Sequence, residues 1–157
     1  MPTFEIEDLY SDEVVCGIDE AGLGPLAGPL VVAACRIERD LIGSDLLAMI
    51  DDSKRLTVAN RERAADLLFE SAAVEYNVAI IENDVIDNIG LSKAWVEGII
   101  EAASGLEATL YILDGNRKVE ISGRKTVTAV GGDRKSYSVA AASIIAKVTR
   151  DRIMRRI

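Results

Sequence analysis

The 157-residue chain contains no histidine. That absence excludes catalysis built on a Ser–His or Cys–His pair and any zinc–histidine centre. Acid–base or metal chemistry must rest on carboxylates and lysines. Cysteine is almost as scarce: Cys16 and Cys35 are the only two. Both fall in predicted strands and read as small buried thiols, since two cysteines without histidine make neither a metal site nor a disulfide framework. No apolar run approaches the length that spans a bilayer. The first twelve residues, MPTFEIEDLYSD, are acidic and lack a basic start before an apolar stretch. No signal peptide is expected, and a soluble cytoplasmic protein is the expectation. What remains is ample apolar material, 49% of residues, enough for the core of one domain covering residues 1–157.

Charge is unevenly distributed. The net charge is −8, yet residues 1–114 carry −16 and residues 115–157 carry +8. The second block reads as a positive patch on an acidic body, a surface that can meet a phosphate backbone. Basic residues near a helix C-terminus explain such a block equally well.

The hydrophobic periodicity predicts strands at 13–19, 29–37, 73–81, 108–115 and 125–130. It predicts helices at 44–50, 57–72, 83–90, 91–104 and 137–157, with Thr57 as an N-cap and Gly90 and Gly105 as terminators. The first two strands flank a Gly- and Pro-rich turn and suggest a long hairpin or adjacent strands. The order of elements predicts one α/β layer domain on a mixed sheet.

Three acidic features line up on this scheme. Asp19 and Glu20 sit at the end of the first predicted strand, immediately before GLGPLAGP. Asp114 closes another strand, just before Gly115. Asp151 lies on the last helix, on one face with Ile144, Lys147 and Val148 by i, i+3, i+4 and i+7 spacing. Side chains at 19 and 20 alternate across a regular strand, so they converge only where the strand ends or twists; Gly22 and Gly24 permit that. The run Ala140–Ala141–Ala142–Ser143 lets the last helix approach the sheet closely. Singly, each acid reads as a cap, turn or surface charge. Together they fit four converging carboxylates that hold one or two hard cations. Two Mg2+ about 3.5–4 Å apart clamp the attacking and leaving oxygens of a phosphodiester, chemistry that needs no histidine.

GIDEAGLGPLAGPLVVAA, DDSKRL, LDGN and GGDRKSYSVAAASIIAKVTRDRIM, in this order from about residue 14 to 155, resemble type 2 ribonuclease H (ribonuclease HII). The resemblance implies a ribonuclease H-like fold with a mixed central β-sheet flanked by helices. It implies metal-dependent endonucleolytic cleavage of the RNA strand of RNA–DNA hybrids, with Mg2+ or Mn2+ as cofactor and 3′-hydroxyl and 5′-phosphate products. The metal-binding and catalytic carboxylates it implies are Asp19, Glu20, Asp114 and Asp151. Gly22, Leu23 and Gly24 would form the substrate-reading loop, where backbone amides approach the ribose or phosphate. Lys54, Lys135 and Ser136 match positions near the substrate backbone. Trp95, in mid-helix among Val96, Ile99 and Ile100, reads as core packing.

Two departures from the family pattern stand out. The glycine loop normally carries an arginine where this chain has Leu23, and leucine cannot donate a hydrogen bond. Weaker recognition of a single embedded ribonucleotide is expected. Family members also usually continue past the helix bearing the last aspartate, whereas the chain stops at RDRIMRRI. An uncovered apolar face on that helix, with self-association through it, is expected. The rival reading is a protein of the same fold that holds hybrids with little or no cutting. Another two-metal nuclease acting on DNA fits DDSKRL and DRKSYSVAAASIIAKVTRD less well.

Overall fold

A computed structural model describes residues 2–24, 27–51 and 57–156. Helix α1 (Glu5–Leu9) precedes strand β1 (Val15–Ala21) and strand β2 (Leu30–Ile37). Helices α2 (Ser44–Asp51) and α3 (Val58–Glu70), strand β3 (Val74–Ile81) and helices α4 (Asn83–Ile89) and α5 (Leu91–Ser104) follow. Strands β4 (Leu110–Asp114) and β5 (Lys125–Ala129), a single 3₁₀ turn (Gly132–Arg134) and helix α6 (Tyr137–Met154) complete the order.

The five strands form one mixed sheet in the order β3-β2-β1-β4-β5. β1, β2 and β3 make an antiparallel meander, while β4 pairs in parallel with both β1 and β5. β1 is central and is held from both sides. Leu30 to Cys35 of β2 are fully buried, as expected of a continuous apolar run covered on both faces. One face packs under α5, where Trp95, Ile99 and Ala102 meet Ile18, Val32 and Tyr111. The other packs under α6 and α3, where Ile145, Ala141 and Leu68 meet Val31, Ala33 and Cys35. Both cysteines are buried free thiols. Among the described residues, no helix is long and apolar enough to cross a membrane.

β1 and α6 meet backbone to backbone at Gly17. A Cβ built on Gly17 would lie 2.3 Å from the backbone nitrogen of Val139 and 2.4 Å from the carbonyl carbon of Ser138. Only glycine allows the helix to seat directly on the strand. The small Ala140–Ala142 run continues that approach, and all three are buried.

Helix α1 has no counterpart in the sequence reading. It is five residues long and mostly acidic, so it lacks a repeat that periodicity can detect. Its role is local. Glu7 Oε2 accepts hydrogen bonds from Ser136 Oγ (3.0 Å), the Ser138 amide (3.1 Å) and Ser138 Oγ (2.9 Å). A carboxylate at the start of α6 satisfies an otherwise unpaired amide and complements the helix dipole. Burial nevertheless pushes the Glu7 carboxyl above its ordinary pKa, against the pull of these hydrogen bonds.

The expected strand end at residue 19 is corrected: β1 runs on through Ala21, paired to Val31. The expected bare face is not found on the middle turns of the last helix. Ile144, Ile145 and Val148 are buried, and Arg152 and Arg155 tie the helix to Glu62 of α3.

Candidate active site

The sheet register brings two of the expected acids level. Ile18 of β1 is paired with Leu113 of β4, and the next residue on each strand is Asp19 and Asp114. In parallel neighbouring strands, residues at one level share a face. Gly17 and Ile112, one alternation earlier, pack against α6, so Asp19 and Asp114 point to the α6 side. Glu20 falls on the alternate face, beside α5, where Trp95 Nε1 donates to its Oε1 at 3.1 Å.

Asp19 lies within the electrostatic reach of both Glu20 and Asp114. The Asp19 carboxyl is held well above the ordinary carboxylate range, chiefly by burial, then by hydrogen bonding and charge from Glu20 and charge from Asp114. The Glu20 amide donates to Asp19 Oδ1 at 2.8 Å and pulls the other way. Asp114 Oδ1 accepts from the Gly132 amide at 2.9 Å. Among the described residues, no three carboxylate or thiol side chains are gathered as a ready metal cage. The donor chemistry still fits a hard divalent cation: the groups are all oxygen acids, and the negative charge of Glu20 and Asp114 acting on Asp19 is what a cation would offset.

Beside Glu20 opens a cavity of about 540 Å³, bordered also by Asp133, Arg61, Ser143, Lys147 and Arg150 among others. It mixes acids with three basic side chains, an arrangement suited to a cation and a phosphate together.

Asp151 is not among the residues that border this cavity, although its partner Lys147 is. Lys147 Nζ pairs with its Oδ1 at 3.3 Å. It lies twelve residues beyond Val139, or about 18 Å along the helix axis. Asp19 and Glu20 lie only two or three residues beyond Gly17, roughly 7–10 Å along the strand. Strand and helix run side by side from the Gly17–Val139 joint to Gly22, whose Cβ would meet Arg150 Nε at 2.4 Å. Asp151 therefore lies past the carboxylates, level with the glycine loop.

Asp133 is the acid that the sequence reading passed over. It borders the same cavity as Glu20, and its neighbour Gly132 bonds Asp114. The signal was available in GGDRKS, a glycine-opened turn just ahead of the last helix.

Of the expected substrate-binding residues, Gly22 has a φ of +97° and Leu23 and Gly24 are exposed. The loop is pinned from below by Arg150, which is 7% exposed. Its Nε donates to the Pro29 carbonyl at 3.0 Å and its Nη2 to the Ala27 carbonyl. Lys135 is exposed. Ser136 is 0% exposed: it caps α6 by accepting from the Val139 amide at 3.1 Å and donates to Glu7. Its hydroxyl is engaged in the fold, in place of the expected contact with substrate. Lys54 lies outside the described residues.

The family model described as Ribonuclease HII matches residues 16–157. The Ribonuclease HII of Chlorobaculum parvum is 43% identical over 142 residues, covering 89% of this chain and 69% of that protein. That of Endomicrobium trichonymphae is 42% identical over 142 residues, covering 89% of this chain and 65% of its own length. Among solved structures, the ribonuclease H2 from Pyrococcus horikoshii OT3 aligns with a TM-score of 0.78 at 28% identity, covering 90% of this chain and 74% of that one. The RNase HII in the PCNA:RNase HII complex from Archaeoglobus fulgidus aligns with a TM-score of 0.79 at 29% identity, covering 91% and 75%.

Proposed function

The chain belongs to the ribonuclease HII family of ribonuclease H hydrolases, and from that membership we propose that it cuts the RNA strand of RNA–DNA hybrids with the help of divalent cations. It spans about two thirds of the length of the curated relatives cited above. The observation that carries the reading is the level pair Asp19 and Asp114 on adjacent central strands, with Glu20 beside them and Asp19 forced towards its protonated form.

Asp19, Glu20 and Asp114 would hold Mg2+ or Mn2+. We assign the fourth carboxylate to Asp133, because it borders the cavity with Glu20, whereas Asp151 is paired with Lys147 further along α6. The bound cations would supply an activated water and charge stabilisation at a phosphodiester, giving 3′-hydroxyl and 5′-phosphate ends. The chain's own part is to orient and to neutralise. Lys147, Arg61 and Arg150 place positive charge along the cavity, where it offsets the scissile strand's phosphates. The Gly22 turn leaves backbone free to approach the ribose, whose 2′-hydroxyl distinguishes RNA from DNA. Leu23, exposed at this loop, adds no donor. Cutting at a lone embedded ribonucleotide is then weaker than cutting in a long hybrid.

The test is a cleavage assay with labelled hybrid, embedded-ribonucleotide duplex and DNA-only duplex, in Mg2+ and in Mn2+. The expected result is cutting of the hybrid that is lost in Asp114→Asn, with circular dichroism unchanged. Equal cutting by wild type and Asp114→Asn refutes the site.

A further inference from the structure

Trp95 is the chain's single tryptophan. It is 4% exposed and belongs to the α5-side core, as the sequence reading expected. Packing does not account for where its polar atom points. The indole Nε1 donates to Glu20 Oε1 at 3.1 Å, so the ring reaches from α5 to one of the proposed cation ligands on β1. The ring is itself held. The Arg117 guanidinium carbon lies 4.8 Å from its centroid, and Arg117 also donates to Ser92 Oγ, one turn earlier on α5. Arg117 follows Asp114 by three residues. The segment leaving one proposed ligand thus stacks on the ring that engages another.

We propose that Trp95 is a positioning residue for divalent-cation binding: its N–H fixes the Glu20 carboxylate and leaves the second oxygen for the cation. The proposal rests on the assignment of Glu20 as a ligand in the reading above. The physical reason is that a ligand held by an outer hydrogen bond does not have to be ordered when the cation arrives. A neutral donor also fixes the carboxylate without neutralising it. A merely structural role, in which Glu20 satisfies a buried indole N–H, would lower thermal stability and leave cation affinity unchanged.

Two measurements separate these roles. The first uses the unaltered protein: Mn2+ is a paramagnetic quencher, so titration with Mn2+ alone should quench Trp95 fluorescence saturably. The second compares Mn2+ affinity by calorimetry in wild type and Trp95→Phe, which keeps a ring and removes the N–H. The expected loss is about tenfold in affinity, with hybrid cleavage by the variant recovering at saturating Mn2+. Unsaturable quenching, or equal affinity in the two proteins, overturns the role of Trp95 whether or not the wild type cuts hybrids. A wild type that binds Mn2+ tenfold better than the variant, yet cuts nothing, upholds it and removes the ribonuclease reading instead.

Discussion

Replacing Gly17 with alanine puts one methyl group where α6 rests on β1. The new Cβ would lie 2.3 Å from Val139 N, 2.4 Å from Ser138 C and 2.7 Å from Ser138 O. Ordinary contact requires about 3.5–4 Å, so α6 has to lift by roughly 1 Å. All three obstacles are backbone atoms within a helix turn capped by Ser136 and Glu7, and no side-chain rotation relieves them. Overpacking costs typically 1–3 kcal/mol, and a rigid obstacle places this substitution at about 3 kcal/mol or more. For a chain of this size that is a fall in Tm of about 6–12 °C. The effect on chemistry should be comparable with the effect on folding. Asp133 precedes α6, while Asp19 belongs to β1, so lifting the helix separates the acids; a misplacement near 1 Å can cost about 100-fold in rate. Gly43→Ala is the control, since a Cβ there meets nothing within 4 Å. Thermal denaturation and hybrid cleavage, measured well below both melting temperatures, give the two readouts. A Gly17→Ala protein that melts within 2 °C of wild type (against the roughly 6–12 °C expected) and cuts at the same rate would refute the argument that this joint sets the site.

Other outcomes follow from the same structure. Burial raises the Glu7 pKa above its ordinary 4.5, so between 4.5 and that raised value the folded protein binds more protons than the unfolded chain. Its contribution to stability is therefore greatest below 4.5 and is lost as pH rises through the window. Glu7→Gln removes this dependence, and the difference in Tm between wild type and variant should shift in favour of wild type on acidification from neutral pH; parallel curves would contradict it. Arg150→Lys cannot span the Pro29 and Ala27 carbonyls with one ammonium. Losing one such hydrogen bond costs about 1 kcal/mol of stability, a fall in Tm of about 2–4 °C for a chain of this size; thermal denaturation decides, and an unchanged Tm would contradict it.

Much of this arrangement was legible in the residues, because local patterns carried it. Helix α5 was placed at its observed bounds, Thr57 caps α3 by accepting from Asn60 at 3.2 Å, and Gly90 and Gly105 end α4 and α5 as expected. The strand-end placement of Asp114 and its partnership with Asp19 were also readable. What was not legible depended on distance in space. Periodicity put Asp151 on the stripe with Ile144 and Val148, and that stripe does cover the sheet; nothing periodic records how far along the sheet the helix has advanced by residue 151. The Gly17–Val139 contact supplies that measure for Asp151, and the proposed choice of Asp133 rests on the cavity wall it shares with Glu20. The resemblance places Ser136 near the substrate backbone, and no local pattern reveals its bond to Glu7, 129 residues away. The indole bond to Glu20 spans 75 residues and leaves no mark in a helical wheel, where Trp95 is simply apolar.

The parallel pairing of β4 beside β1 also bears on biosynthesis. The β1–β2–β3 meander joins neighbours in the chain and can close while translation is still under way. Asp114 reaches Asp19 only after 94 intervening residues have left the ribosome, and the Asp133 turn is seated only once the helix behind it docks on Gly17. Asp19 and Glu20 therefore wait for their β4 partner until that later stretch has been made, and the proposed cation site would be completed only after the meander has closed.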